Sequence, residues 1–185
     1  GIVHALTGAG GVGKSELARV YALIFADKYD SVWWIDASSS ALRGELMKAF
    51  ELVAGSAAPE TARVGDLCQA LVERWKGTRP LVILDNVDAA ENFTLFSSMP
   101  TACVVATTVQ HHKTLGGVEP FMLDVLPTKD AVAIMRKEIE KHRSDVDDAD
   151  LASIAVELGG HALAVALAGA YLAHNTAFSA GEVLC

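Results

Sequence analysis

The chain of 185 residues carries 23 acidic against 15 basic side chains, a formal net charge of −8, and is 51% hydrophobic. That size suits one full domain, or one domain with a small companion. The acidic balance argues against neutralising a phosphate backbone, so nucleic acid is not an expected partner of this segment. The longest mostly apolar run, "HALAVALAGAYLA", is interrupted by glycine and falls short of the ~20 residues that span a bilayer, so no membrane partner is expected either.

Cys68, Cys103 and Cys185 are odd in number and widely spaced, which fits a reducing compartment better than a disulfide framework or a zinc site. The chain opens at Gly1 without an initiator methionine, a basic n-region or a cleavage site, so no secretion signal is read there. The expected location is the cytoplasm.

In chain order, a first strand is predicted at Val3–Thr7, followed by the glycine-rich "GAGGVGKS" and a helix over Ser15–Ala26. A strand at Val32–Asp36 leads through the cap-like Ser38–Ser40 into the helical pattern "ALRGELMKAFELV". A further helix, "TARVGDLCQALVERWKG", is predicted to begin at its threonine and end at its glycine. Strands follow at Leu81–Asp85, Cys103–Thr107 and Pro120–Asp124. Alternating strands and amphipathic runs predict an α/β fold with a parallel sheet, and near-continuous apolar runs such as "LVIL" and "VVA" predict cover on both faces. After about Leu126 the β-rich runs stop, and helices are predicted at Thr128–His142, Asp148–Leu158, His161–His174 and from near Ser179. The acidic stretch Asp145–Asp150 is read as a helix cap and solvated connector.

The chemistry begins with "GAGGVGKS", which satisfies G-x-x-x-x-G-K-[ST] as Gly8, Gly13, Lys14 and Ser15 between a predicted strand and a predicted helix. Glycines let successive backbone N–H groups turn inward around a phosphate, and the free N–H groups at the helix start add partial positive charge. The candidate nucleotide-binding set is therefore Gly8, Ala9, Gly10, Gly11, Val12, Gly13, Lys14, Ser15 and Glu16. Lys14 is expected to reach the β- and γ-phosphates of ATP, and the Ser15 hydroxyl to ligate magnesium. A phosphate loop also needs an acid at the end of another strand, and "PLVILDNVD" supplies Asp85 as second magnesium ligand and catalytic candidate.

Asn86 stands where many nucleotide hydrolases carry a second acid. Asp88 is either a catalytic acid in its place or the N-cap of the helix "AENFTLF". Thr107 either senses the γ-phosphate or simply satisfies a strand end. His111, His112 and Lys113 read as solvated surface. Trp33, Trp34, Phe93, Phe96 and Phe121 read as core or interface filler.

The ordered set "VHALTGAGGVGKSELARVYA", "SVWWIDAS", "PLVILDNVD", "ACVVATT", "FMLDVLPTKDAVAIM" and "LGGHALAVALAGAYLA" resembles the NB-ARC branch of the STAND signalling NTPases, related to apoptotic protease-activating factor and plant disease-resistance proteins. The resemblance implies a P-loop NTPase three-layer sandwich, with strand order 5-1-4-3-2 over residues 1–125. It also implies a truncated, first ARC-like helical unit over 126–185 that covers the nucleotide. Functionally it implies a switch: ADP holds a multidomain protein closed, exchange for ATP opens it for self-oligomerisation, and slow magnesium-dependent hydrolysis resets it. The partners so implied are the adenine nucleotide and flanking sensor and effector domains of the same chain.

By the same resemblance, His161 and Ala162 stand where the family's G-L-P-L-A segment meets adenine, with Ala162 replacing the proline and His161 able to stack on the base. Val109 replaces an arginine that often meets the γ-phosphate, and it cannot donate a hydrogen bond. The family's segment before the first strand and its winged-helix domain have no counterpart in these residues. A small-molecule kinase using Arg136, Lys137, Lys141 and Arg143 as a lid, or a scaffold that no longer cycles nucleotide, are the alternative functions. A GTPase lacks support, since no N-K-x-D follows the Asp85 strand.

Overall fold

A computed structural model describes residues 2–97, 102–110, 117–142 and 146–175. The elements are β1 (Ile2–Thr7), α1 (Lys14–Phe25) with a 3-10 turn at Ala26–Lys28, β2 (Ser31–Asp36), α2 (Leu42–Ala54), α3 (Val64–Arg74), β3 (Pro80–Asp85), α4 (Ala90–Ser97), β4 (Cys103–Thr108), β5 (Phe121–Met122), α5 (Thr128–Ile139), α6 (Asp148–Glu157) and α7 (Ala162–His174). The chain divides into two compact units, one of Gly1–Gly8 with Lys14–Met122, the other of Ala9–Gly13 with Leu123–Cys185.

The first unit is built on a five-stranded sheet in the order β2-β3-β4-β1-β5, with every pairing parallel. Read from the other edge this is the expected 5-1-4-3-2, and β4 lies between β1 and β3 as the resemblance implies. Parallel pairing demands crossovers, and the helical stretches between the strands supply them. The two-residue period of a strand then sorts the side chains by face. Val82 and Leu84 of β3 join Val104 and Ala106 of β4 in one core, against Leu42 and Leu46 of α2, Leu67 and Leu71 of α3, and Phe93 and Phe96 of α4. Leu81 and Ile83 turn the other way, with Cys103, Val105 and Leu6, onto Ala18 and Tyr21 of α1.

Three details depart from the sequence reading. The last strand is two residues long rather than Pro120–Asp124, because β5 meets β1 only through Leu6–Phe121 and Thr7–Met122. Helix α3 starts at Val64, not at Thr61. The Asp66 carboxylate accepts the Arg63 N–H at 3.2 Å and so closes the start of α3, while Ala62 N–H is used in a turn onto Pro59 O at 2.9 Å. Among the aromatics, Phe93 and Phe96 are fully buried and Trp33 lies against Trp75 at 5.3 Å between ring centroids, but Trp34 and Phe121 are exposed at the sheet's edges.

The second unit packs α5, α6 and α7 around Met135, Ile139, Leu151, Ile154, Val165 and Leu172. Gly169 is required by the closeness of α5 and α7, since a Cβ there would sit 3.0 Å from Met135 Cα. Asp147 accepts the Ala149 N–H at 3.3 Å and so caps α6, the role read for the acidic stretch. The predicted start near Ser179 lies outside the described residues, as do Cys185, His111, His112, Lys113 and Arg143. Among the described residues, no helix is long and apolar enough to cross a membrane.

Candidate functional site

Three adjacent strands bring the polar groups of the first unit together. β3 runs as an unbroken buried apolar segment and delivers Asp85 at its carboxyl end; β4 delivers Thr107 and Thr108; β1 delivers Thr7 and then Gly8. The carboxyl ends of parallel strands are where open α/β sheets place ligands. Ser15, in the first turn of α1, donates its hydroxyl hydrogen to Asp85 Oδ1 at 2.7 Å, and Thr107 Oγ1 donates to the same oxygen at 2.5 Å.

Lys14 is buried, and its Nζ donates to Gly8 O at 3.0 Å. Burial holds the Lys14 ammonium below the ordinary lysine range, and the negative charge of Asp85 partly offsets that shift. The Gly8 carbonyl and the Asp85 charge offset the cost of burying that cation. The oxygen donors Ser15 and Asp85 suit a hard cation such as magnesium.

The turn after Asp85 is held by β4. Asn86 adopts a left-handed backbone with φ 61°, and its N–H donates to Thr107 Oγ1 at 3.0 Å. Val87 N–H donates to Thr107 O at 2.8 Å, and Thr108 Oγ1 donates to Val87 O at 2.6 Å. Thr107 is thus both donor and acceptor, bonding Asp85 and Asn86 at once. Asp88 bonds Ser39, in the loop after β2, rather than the first turn of α4. The carboxylate of Glu16 is exposed and engaged by Arg19, whose hydrogen bond lowers its pKa.

In the second unit, the loop 9–13 meets the start of α7. Leu163 N–H, an orphan donor of the helix's first turn, donates to Gly11 O at 3.0 Å. Gly11 has φ 73°, and a Cβ on it would lie 2.6 Å from His161 Cε1, so only glycine fits there. His161, the N-cap position of α7, thus packs on the glycine loop, and a Cβ on Gly13 would lie 3.9 Å from Ala162 Cβ. Of the basic residues considered as a lid, Arg136 pairs with Asp148 and Lys141 with Glu138. Val109 is exposed. The sequence reads Ser38–Ser40 as a helix cap, but the N-cap of α2 is Ala41 without a side-chain bond, and Ser39 bonds Asp88 instead; Gln110 and the Gly11 carbonyl were missed, because their partners lie far away in the chain and no motif joins them.

Residues 1–144 match the family model of the NB-ARC domain. The chain belongs to the NB-ARC family. The family makes this chain a nucleotide-binding module, in line with the phosphate-loop motif and the Ser15–Asp85 pair. No curated protein matches the NB-ARC chain in sequence.

Its fold is similar to that of solved structures at low identity. Cdc6p from Pyrobaculum aerophilum aligns with TM-score 0.69 at 12% identity over 98% of this chain and 56% of its own. The Orc1 protein of Aeropyrum pernix, solved in complex with DNA, aligns with TM-score 0.62 at 18% identity over 91% of this chain and 53% of its own. A STAND protein with a tetratricopeptide repeat sensor from Pyrococcus horikoshii aligns with TM-score 0.51 at 17% identity over 87% of this chain and 26% of its own. The NB-ARC chain therefore spans about half the length of the first two and a quarter of the third, and at these identities the likeness is one of fold.

Proposed function

We propose that this NB-ARC chain is the ATP/ADP switch module of a STAND signalling protein, in which slow magnesium-dependent hydrolysis controls activation and self-oligomerisation. The observation that carries the reading is the buried Lys14 beside Ser15 and Thr107, both donating to Asp85. In this reading the main-chain amides of Gly8, Ala9, Gly10, Gly11, Val12, Gly13, Lys14, Ser15 and Glu16 bind the diphosphate, and Lys14 carries the charge of the terminal phosphates. Ser15 and Asp85 would hold magnesium, which when bound would offset the negative charge of the nucleotide's phosphates. Thr107 aligns Asp85, and His161 and Ala162 line the adenine side. Residues 1–125 form the nucleotide-binding domain and 126–185 the first ARC-like unit.

Slow turnover is supported by Asn86, whose amide cannot take a proton from water as a carboxylate can. The ion pairs of Arg136 and Lys141 speak against a kinase lid. The net charge of −8 speaks against DNA as a partner of this segment, whatever its structural neighbours bind. Cytoplasmic location and neighbouring sensor and effector domains complete the proposal.

Titration with fluorescent ADP and ATP in magnesium tests it. Lys14→Ala is expected to weaken binding by ~100-fold or more, and Asp85→Ala to remove the magnesium dependence. Unchanged binding in Lys14→Ala refutes the phosphate assignment. Rapid transfer to an added acceptor establishes the kinase instead, and wild-type protein whose melting ignores nucleotide establishes the scaffold.

A further inference from the structure

The Asp88 carboxylate accepts the Ser39 N–H on both oxygens, at 2.9 Å each, and the Ser39 hydroxyl on Oδ1 at 2.6 Å. Ser39 lies in the β2–α2 loop and Asp88 in the β3–α4 turn. A second strut runs from the first turn of α4 to the same β2–α2 loop: Asn92 Nδ2 donates to Ala37 O at 3.1 Å. A third, Ala37 N–H to Asp85 O at 2.7 Å, ends on the carbonyl of the magnesium-binding candidate itself.

The turn's other side is gripped by the end of β4. Gln110 Nε2 donates to the Asp88 carbonyl, and Gln110 N–H donates to Thr108 Oγ1 at 3.1 Å. Thr7 Oγ1 donates to Gln110 O at 2.9 Å, which ties in β1. Residues 85–88 are thus strung between two neighbours, with Asn86 held in its left-handed conformation in the middle. Asn takes that region more readily than other non-glycine residues, and the hydrogen bond from its N–H to Thr107 Oγ1 holds it there.

We propose that Asp88 is a positioning residue: with Ser39 it forms a clasp between the β2–α2 loop and the β3–α4 turn that fixes the backbone of Asp85 and Asn86 for the magnesium nucleotide. The proposal rests on the nucleotide reading above. It replaces both roles that the sequence offered for Asp88. A carboxylate already accepting three hydrogen bonds has little basicity left for a water, and Ser39 indeed holds the Asp88 carboxyl below the usual carboxylate range, through its hydroxyl first and then its amide. A cap of α4 would instead place the carboxylate on that helix's first N–H groups. Asp88 acts at a distance from the reacting atoms: it fixes the turn, and the turn fixes the acid.

The test compares wild type, Ser39→Ala, Asp88→Asn and the double variant. In ¹H–¹⁵N spectra of the full chain, the Ser39 amide proton of the wild type is expected downfield of its position in Asp88→Asn, a displacement that vanishes on acidification below the ordinary aspartate value of 3.8. ADP titrations without and with magnesium give the second readout. Each single variant is expected to lower the magnesium-dependent gain in ADP affinity about 3–10-fold while leaving magnesium-free affinity within about 2-fold, with the double variant no worse than either.

A pH–rate profile of ATP hydrolysis separates positioning from proton transfer. The acid limb is expected to be the same in wild type and Asp88→Asn. If Asp88→Asn abolishes turnover by ~100-fold or more and removes the acid limb while Ser39→Ala is silent, Asp88 is a general base and the clasp proposal is wrong. An undisplaced Ser39 amide overturns it as well. Wild-type protein that binds no magnesium ADP sinks the nucleotide reading, and the positioning role with it, while a displaced Ser39 amide shows separately that the clasp exists.

Discussion

The centre of the sheet and its edges obey different rules. Every residue of β3 and β4 is buried, whereas on the edge strand β2 Val32 is 43% and Trp34 41% exposed, and on β5 Phe121 is 66% and Met122 62% exposed. The polar groups that matter, Asp85 and Thr107, stand at the ends of the two fully buried strands. A strand packed on both faces has no freedom to shift register, because a slip by one residue would exchange Leu81 and Ile83 with Val82 and Leu84 between two different cores. Rigid delivery of a carboxylate and a hydroxyl is what a metal and phosphate site requires. The edge strands carry none of this chemistry and leave large apolar side chains in the open.

The comparison can be broken most forcefully at its centre. Ile83→Ala removes a fully buried side chain between β3 and α1 and is expected to cost about 2–5 kcal/mol in urea unfolding. A loss like that of an edge substitution would show that the centre is not the rigid element claimed here. Next, Thr107→Val keeps the shape but deletes the hydroxyl that serves Asp85 and Asn86, with an expected loss of about 1–3 kcal/mol, and Thr107→Ser should recover most of it. A valine variant as stable as wild type beside a destabilised serine variant would mean that the methyl group matters and the hydroxyl does not.

At the edge, Val32→Ala is expected to cost less than about 1 kcal/mol, since much of that side chain meets water already. The smallest effect is the pH dependence of the Asp88 clasp. Because Ser39 lowers the folded pKa of Asp88, its stabilisation is fully present above 3.8 and is lost as pH falls through the lowered folded value. Asp88 is exposed, so solvent screening keeps the effect slight. The gap in urea midpoint between wild type and Ser39→Ala should therefore shrink on acidification from neutral pH, and a gap that widened would contradict the hydrogen bonds to Ser39.

Much of the site was legible because it is local in the chain. Gly8 to Ser15 needs only its own spacing and a strand before it. Asp85 needs only the apolar run that carries it. Thr107 was visible as the end of a buried strand, though not as the hydroxyl that bonds Asp85 and Asn86 together. The short β5, the later start of α3 and the exposure of Trp34 and Phe121 were not legible. Each depends on what happens to lie beside a segment, and an apolar run reads the same at an edge as in the middle. Ser39 with Asp88, and Leu163 with Gly11, join residues that no motif connects.

By itself, then, the order of residues determined the α/β alternation, the helical stretch that follows it, and the G-x-x-x-x-G-K-[ST] motif that ends in Lys14 and Ser15, since periodicity and turn residues act over a few neighbours. Only the tertiary structure decided that two hydroxyls converge on one oxygen of Asp85 and that Asp88 spends its charge on Ser39. Hydrogen bonds of that kind are made by whichever groups folding brings within about 3 Å, and separation along the chain carries no trace of them.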